Sequence, residues 1–206
     1  SSKACVEIIS ETYSHSLKNK FIYTVRAGNV IGGGDWSENR IIPDIFRAYN
    51  NNKPLKIRNP NSVRPWSYVL DITRGYISAA QDIIYNKDKS FKSFNFSSDM
   101  KFKSVNDISR KIFSLLTNEI RVIYDPLFIG KEAEVIKLCS KKAKKELGWQ
   151  ALYDYEPMIK YTTKWYRKVI RGDNPLIVSE ELLENYLADY YKSENFHLNL
   201  KGNLNA

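Results

Sequence analysis

The chain has 206 residues, 43% of them hydrophobic, and a formal net charge of +9 at pH 7. A chain of this length buries roughly 70% of the surface its unfolded form exposes, enough for one full core or two small ones, which excludes disorder as the main state. No apolar run approaches the ~18 residues of a membrane span and no leader peptide opens the sequence, so a soluble, cytoplasmic protein is expected.

Residues 2 to 18 carry Cys5, Ile8, Ile9, Tyr13 and Leu17 at near-helical spacing. Nothing ahead of Lys3 has room to cap that helix, and Ser1-Ser2-Lys3 opens without Met. The expectation is either a removed leader or the later part of a longer protein. Phe21 to Arg26, rich in β-branched and aromatic residues, reads as a buried strand. Ile41, Ile42, Ile45, Phe46 and Tyr49 mark a short helix, in which Pro43 is tolerated because it lies in the first turn. Leu55 to Arg58 and Trp66 to Leu70 read as short strands around a turn-rich Asn59-Pro-Asn-Ser62.

Asp71 is placed to cap a helix bearing Ile72, Tyr76, Ala79, Ala80, Ile83 and Ile84. Phe94 to Phe96 reads as a strand, and Ser104 with Asp107 forms a capping box ahead of Ile108, Ile112, Leu115 and Leu116. Ile120 to Tyr124 and Val135 to Leu138 are candidate strands. Ser140 to Leu147 is a helix that stops at Gly148. Met158, Ile159, Thr162, Trp165, Tyr166 and Val169 stripe a further helix. After Gly172-Asp-Asn-Pro175 comes a last amphipathic helix with Leu182, Leu183, Tyr186, Leu187 and Tyr190 on one side, then a polar, mobile tail from Ser193. Alternating strands and helices indicate an α/β protein.

Cys5, Cys139, His15 and His197 are too few and scattered for a disulfide framework or a metal cage, so no metal site is expected. Three stretches carry chemistry. Arg26-Ala-Gly-Asn-Val-Ile-Gly-Gly-Gly-Asp-Trp36 puts four glycines, an amide and a carboxylate at the end of a strand, where open α/β sheets bind ligands. Its spacing fits neither a dinucleotide fingerprint nor a P-loop, and the three successive glycines also fit a plain tight turn. Asn29 has a donor and an acceptor for a sugar or phosphate, or it braces the loop. In the second stretch, Arg58 and Arg64 flank a turn and Trp66 and Tyr68 follow. That set suits a diphosphate and a base, while a strand with solvated arginines is the plainer reading. The third, Lys131 to Trp149, holds a lysine run that could address nucleic acid. On a helix those lysines spread around the circumference, as on a solvated face, so no nucleic-acid partner is expected.

In this order and spacing the three stretches resemble the C-terminal portion of an extended short-chain dehydrogenase/reductase of the NAD-dependent epimerase/dehydratase family, and within it the CDP-glucose 4,6-dehydratases. Ser2-Lys3-Ala4-Cys5 matches the second half of the family's Tyr-x-x-x-Lys helix motif. Arg26 to Trp36 matches its post-strand motif, and Arg40-Ile-Ile-Pro43 its next helix start. Ile57-Arg-Asn-Pro60 with Arg64-Pro-Trp66 resembles the CDP-glucose branch, where related dTDP-glucose enzymes favour Arg-Asp-Trp. Cys139-Ser-Lys-Lys142 departs from the usual Asp-x-Ser-Lys.

The resemblance implies a partial Rossmann sheet with a small substrate-binding lobe over residues 1–172, followed by a C-terminal helix and tail over 173–206. It implies NAD as a regenerated cofactor that takes hydride from C4 of the glucosyl ring of CDP-glucose and returns it to C6 after water leaves across C5 and C6. Lys3 would be the catalytic residue matched here, holding the nicotinamide ribose and lowering the pKa of the family's tyrosine; Ala27 and Gly28 would join it at the cofactor. Asn29, Arg40, Ile41, Arg58, Arg64, Asn95 and Glu132 would contact the sugar nucleotide. The helix from Ser2 would form a homodimer interface. Counting back from Lys3 places the tyrosine just ahead of Ser1, with the Gly-rich dinucleotide loop and the acid-base pair farther upstream, so these 206 residues alone are expected to be catalytically silent.

Overall fold

The computed structural model describes residues 2–17, 21–86, 90–98, 103–117, 119–124 and 133–203. Helix α1 (Ser2–Ser16) leads to β1 (Tyr23–Ala27), which pairs in parallel with β6 (Lys92–Phe96), Val25 opposite Phe94 and Arg26 opposite Asn95. A β-strand alternates its faces. Phe94 and Phe96 therefore share one face of β6, where both are fully buried with Ile72, Ala79, Ala143 and Trp149.

A second parallel pair joins β2 (Asn29–Ile31) to β5 (Trp66–Tyr68), and a third joins β3 (Leu55–Ile57) to β8 (Val122–Tyr124). An antiparallel pair joins β4 (Val63–Arg64) to β7 (Lys103–Ser104). Neither β2 nor β4 announces itself in the sequence: each is at most three residues long and exists because a partner strand offers its edge.

Helix α2 (Ile41–Asn50) buries Ile42, Pro43, Ile45 and Phe46, with Pro43 in the first turn as its geometry requires. Helix α3 (Val69–Asn86) starts directly after β5, without a loop. Asp71 therefore lies inside the first turn and is not the cap that the sequence indicates; its fully buried carboxylate accepts instead from the backbone amides of Leu152 and Tyr153 at 2.7 and 3.1 Å.

Helix α4 (Val105–Ser114) has the expected capping box, Ser104 and Asp107 each satisfying the other's backbone N–H. Helix α5 (Lys141–Leu147) ends at Gly148, whose φ of +62° is the left-handed conformation of a C-cap. Helices α6 (Tyr155–Ile170) and α7 (Pro175–Asn203) pack together, and Val178, Leu182 and Tyr186 of α7 enter the larger of two cores, built around Ile45, Phe46, Ile108 and Met158. Two further expectations fail. Val135 to Leu138 is no strand: Val135 and Ile136 stay 51% and 43% exposed, so no buried face holds them, and Val135 makes only an isolated bridge to Val63. Beyond Ser193 the helix continues to Asn203, through a stretch with no proline and no glycine before Gly202.

Candidate functional site

The chain crosses from the β1–β6 pair to the β2–β5 pair within Gly28 and Asn29. Gly28 is required by close approach: a Cβ there would lie 2.1 Å from the Pro65 carbonyl oxygen. The Asn29 amide donates to that same oxygen at 2.8 Å. The crossing opens a cleft of about 380 Å³ between Gly28–Gly32 and the start of α2, with Asp35, Arg40, Ile41 and Tyr166 on its walls. A second hollow of about 190 Å³ adjoins it, shares Asn29, Asn39, Ile41 and Trp66 with it, and adds Lys56, Arg58 and Arg64. Four of the residues expected at a sugar nucleotide, Asn29, Arg40, Ile41 and Arg58, thus stand along one continuous groove, and a fifth, Arg64, borders it from a buried position.

The triple glycine does two jobs. Gly34, at φ +88°, is the turn; Gly32 and Gly33 are contact positions, where a Cβ would come within 2.3 Å of Val69 and 2.2 Å of the Trp165 ring. Beyond the turn, burial opposes ionisation of Asp35, but the Ser37 hydroxyl and amide, with Arg40 and Arg47 nearby, outweigh it and hold the carboxyl below its ordinary value. Arg40, at the N-cap of α2 and well exposed, lies 3.9 Å from that carboxylate. Arg58 is exposed and donates to the Asn39 carbonyl at 3.0 Å.

Other expected positions are placed differently. Arg64 touches the second hollow but is only 7% exposed, and its Nη1 donates to the carbonyls of Val63, Ala133 and Glu134 at 3.0, 2.8 and 3.4 Å. Its guanidinium therefore ties β4 to residues 133–134 as well as bordering the groove. Trp66 and Tyr68 are core residues, 2% and 3% exposed, so neither ring offers a face to a base. The Trp66 indole donates to the Lys103 carbonyl, and Tyr68 packs against Tyr153 and Tyr186. Asn95 lies on β6 beside Arg26, outside both hollows, with its side-chain oxygen buried and unpartnered. Glu132 falls outside the described residues.

On the other side of Gly28, a third cleft of about 510 Å³ is bordered by Lys3, Ala27, Gly28 and Tyr76. Glu7, one turn after Lys3, accepts from the Thr24 hydroxyl at 2.7 Å and lies 3.6 Å from Arg26, which holds α1 against β1. The three positions expected at a cofactor are thus together, and Gly28 joins their cleft to the groove. Sequence reasoning missed Arg47 and Tyr166, which no local motif marks and which reach the glycine loop from α2 and α6. The lysine run on α5 is a solvated face, with Lys141, Lys142, Lys144 and Lys145 exposed around a buried Ala143.

The sequence model of the NAD dependent epimerase/dehydratase family matches residues 1–92. A CDP-glucose 4,6-dehydratase of Salmonella typhimurium is 36% identical over 196 residues, which is 91% of this chain and 55% of that protein. The chain is thus similar to the NAD dependent epimerase/dehydratase family over its first 92 residues, and to that dehydratase over most of its length. It spans about half the length of that relative. Among solved structures, the UDP-glucose-4-epimerase of Stenotrophomonas maltophila with bound NAD and formylated UDP-arabinopyranose superposes with a TM-score of 0.72 at 19% identity, over 83% of this chain and 55% of that one. The dTDP-glucose 4,6-dehydratase of Bacillus anthracis in complex with NAD gives 0.65 at 20% identity, over 85% and 53%. At these identities the likeness shows the fold: the parallel pairs described above are pieces of the Rossmann architecture seen in those structures.

Proposed function

We propose that this chain carries the sugar-nucleotide groove and one cofactor-facing wall of a nucleotide-sugar 4,6-dehydratase acting on CDP-glucose. The observation that carries the reading is the continuous groove from Gly28 and Asn29 to Arg58, with the Lys3 cleft opening at the same glycine. The Salmonella relative supports CDP-glucose over other nucleotide sugars.

In this reading the diphosphate sits near Arg58, Arg40 and Lys56, because guanidinium forks pair with phosphoryl oxygens two at a time. Arg64 supports that end of the groove, holding β4 in place while adding positive charge. Asn29 offers its amide as donor and acceptor to sugar hydroxyls, and Ile41 supplies an apolar wall. Asn95, outside the groove, would bind only through a donor brought to its buried oxygen.

The third cleft fits part of a nicotinamide site, since an ammonium with three donors stands beside the small residues Ala27 and Gly28 and the apolar Val6, Val25 and Val30. NAD, when bound, supplies the hydride acceptor. Lys3 would hold its ribose hydroxyls and, as a nearby positive charge, favour the ionised form of a tyrosine brought beside it. Lys3 does not itself deprotonate a sugar hydroxyl, so the 206 residues alone are proposed to bind the nucleotide sugar without converting it. Two copies would associate through α1, whose Val6, Ile8, Ile9 and Tyr13 are all more than half exposed.

A thermal-shift comparison of CDP, dTDP, UDP and GDP at millimolar concentration tests the reading. The largest shift with CDP supports it, a larger shift with another nucleotide reassigns the substrate, and no shift for folded protein overturns it. Turnover of CDP-glucose with added NAD by this chain would overturn the proposed division of labour.

A further inference from the structure

The segment after the glycine run makes an unusual set of bonds. The carbonyl oxygens of Asp35, Trp36 and Ser37, three in succession, each accept a hydrogen bond from a helix side chain, one from distant α6 and two from the following α2. The Tyr166 hydroxyl of α6 donates to Asp35. The Arg47 guanidinium of α2 bridges the other two, Nη1 to Trp36 at 2.7 Å and Nη2 to Ser37 at 3.0 Å. The Tyr166 ring is fully buried, stacked on Phe46 at 4.1 Å and edge-on to Trp36 at 5.0 Å. Arg47 is itself paired with Asp44. Gly33, packed against Trp165, holds the near end of the segment.

We propose that Tyr166 and Arg47 are positioning residues: by holding three successive carbonyl oxygens they fix the segment after the glycine run and so set where Asp35, which borders the groove, stands against Arg40. Without those donors the segment, and the Asp35 carboxylate with it, is free to shift along the groove beside Arg40. Held in place, the Asp35 carboxylate stays with Arg40 at 3.9 Å, which leaves Arg58 and Lys56 to meet a diphosphate in the adjoining hollow. The planar fork of Arg47 is what spans two adjacent carbonyls; an ammonium at the same place cannot present two donors in that fixed geometry. The part of this inference that concerns CDP affinity rests on the groove being a nucleotide-diphosphate site.

The test uses the full chain in three variants. Tyr166→Phe keeps the ring and removes the donor. Arg47→Lys keeps the charge and removes the fork, so a loss there is not a change of net charge. Tyr155→Phe is the control, since the Tyr155 hydroxyl donates to the Asp107 carbonyl at 2.8 Å from the same helix but away from the loop. Amide hydrogen exchange and a CDP titration are read in each. Both positioning variants should weaken CDP by about three- to tenfold, the range for one lost hydrogen bond, and speed exchange at residues 33–38 selectively. The control should do neither, whatever it costs in thermal stability.

Unchanged exchange and affinity in both positioning variants would overturn the proposal, as would an equal loss of affinity in Tyr155→Phe. If the unaltered chain does not bind CDP, the nucleotide reading fails on its own account, and exchange still decides the positioning role: acceleration confined to 33–38 supports it and uniform acceleration overturns it.

Discussion

Asp71 and Tyr186 lie 115 positions apart and share a 2.7 Å hydrogen bond, the tyrosine hydroxyl donating to the carboxylate. The bond ties the first turn of α3 to the middle of α7. Burial pushes the Asp71 carboxyl above its ordinary value even though the Leu152 and Tyr153 amides, the Tyr186 hydroxyl and Arg74 all favour its charged form. Removing this acceptor leaves buried donors without a partner. Asp71→Ala should cost about 3–5 kcal/mol, as for breaking a buried ion pair, and Tyr186→Phe about 1–3 kcal/mol. Urea unfolding followed by circular dichroism checks both; values near zero would mean that water replaces the lost partner.

Gly33 and Gly34 are adjacent and should respond differently. A methyl at Gly33 meets the Trp165 ring at 2.2 Å, whereas at Gly34 it meets open space but needs φ +88°. Gly34→Ala should cost about 1–2 kcal/mol from backbone strain and leave CDP binding unchanged. Gly33→Ala should cost about 1–3 kcal/mol from overpacking and also weaken CDP, because Trp165 and the groove wall must part. Paired unfolding and titration curves separate the two.

Glu181 on α7 reaches both Lys164 and Lys168 of α6. Hydrogen bonds to those lysines, Lys164 first, pull its carboxyl from an ordinary 4.5 to about 2. A carboxyl held lower in the folded chain than in the unfolded one stabilises fully above the unfolded value and loses that contribution as pH falls. The window is therefore from about 4.5 down to about 2. Glu181→Gln should remove a small, salt-screened part of the acid sensitivity over that range and change little at neutral pH, because the pair is on the surface. Thermal melts of both chains at stepped pH check this.

The elements legible in the sequence were those with a local cause. Ser104 and Asp107 fix the start of α4 between themselves, Gly148 ends α5, and the apolar stripe from Met158 to Val169 lies within α6. What stayed hidden depends on distant partners. Asp71 looks like a cap because nothing near it in sequence reveals that Leu152 and Tyr153 claim its oxygens. Trp66 and Tyr68 look like ligand-stacking rings because alternation along three residues does not show that both faces of β5 are covered. In the groove, Asn29 and Arg40 came from motifs, whereas Tyr166 is 131 positions from the carbonyl it holds.

The exposed face of α1 makes its own prediction. Ile8 and Ile9 are 65% and 54% exposed, and sedimentation velocity should show a dimer that the double variant Ile8→Glu, Ile9→Glu converts to monomer. A monomeric unaltered chain at the same concentration would contradict the interface.

The groove itself is tested most directly by calorimetric titration of CDP into the unaltered chain and into Arg58→Ala, with cytidine as the ligand that lacks the diphosphate. CDP should bind saturably, cytidine not at all, and the variant should lose about ten- to a hundredfold in affinity, as for a charge-assisted hydrogen bond of about 1.5–3 kcal/mol. Equal affinity for CDP and cytidine, or an Arg58→Ala chain that binds CDP as tightly as the unaltered one, would contradict the groove as a diphosphate site.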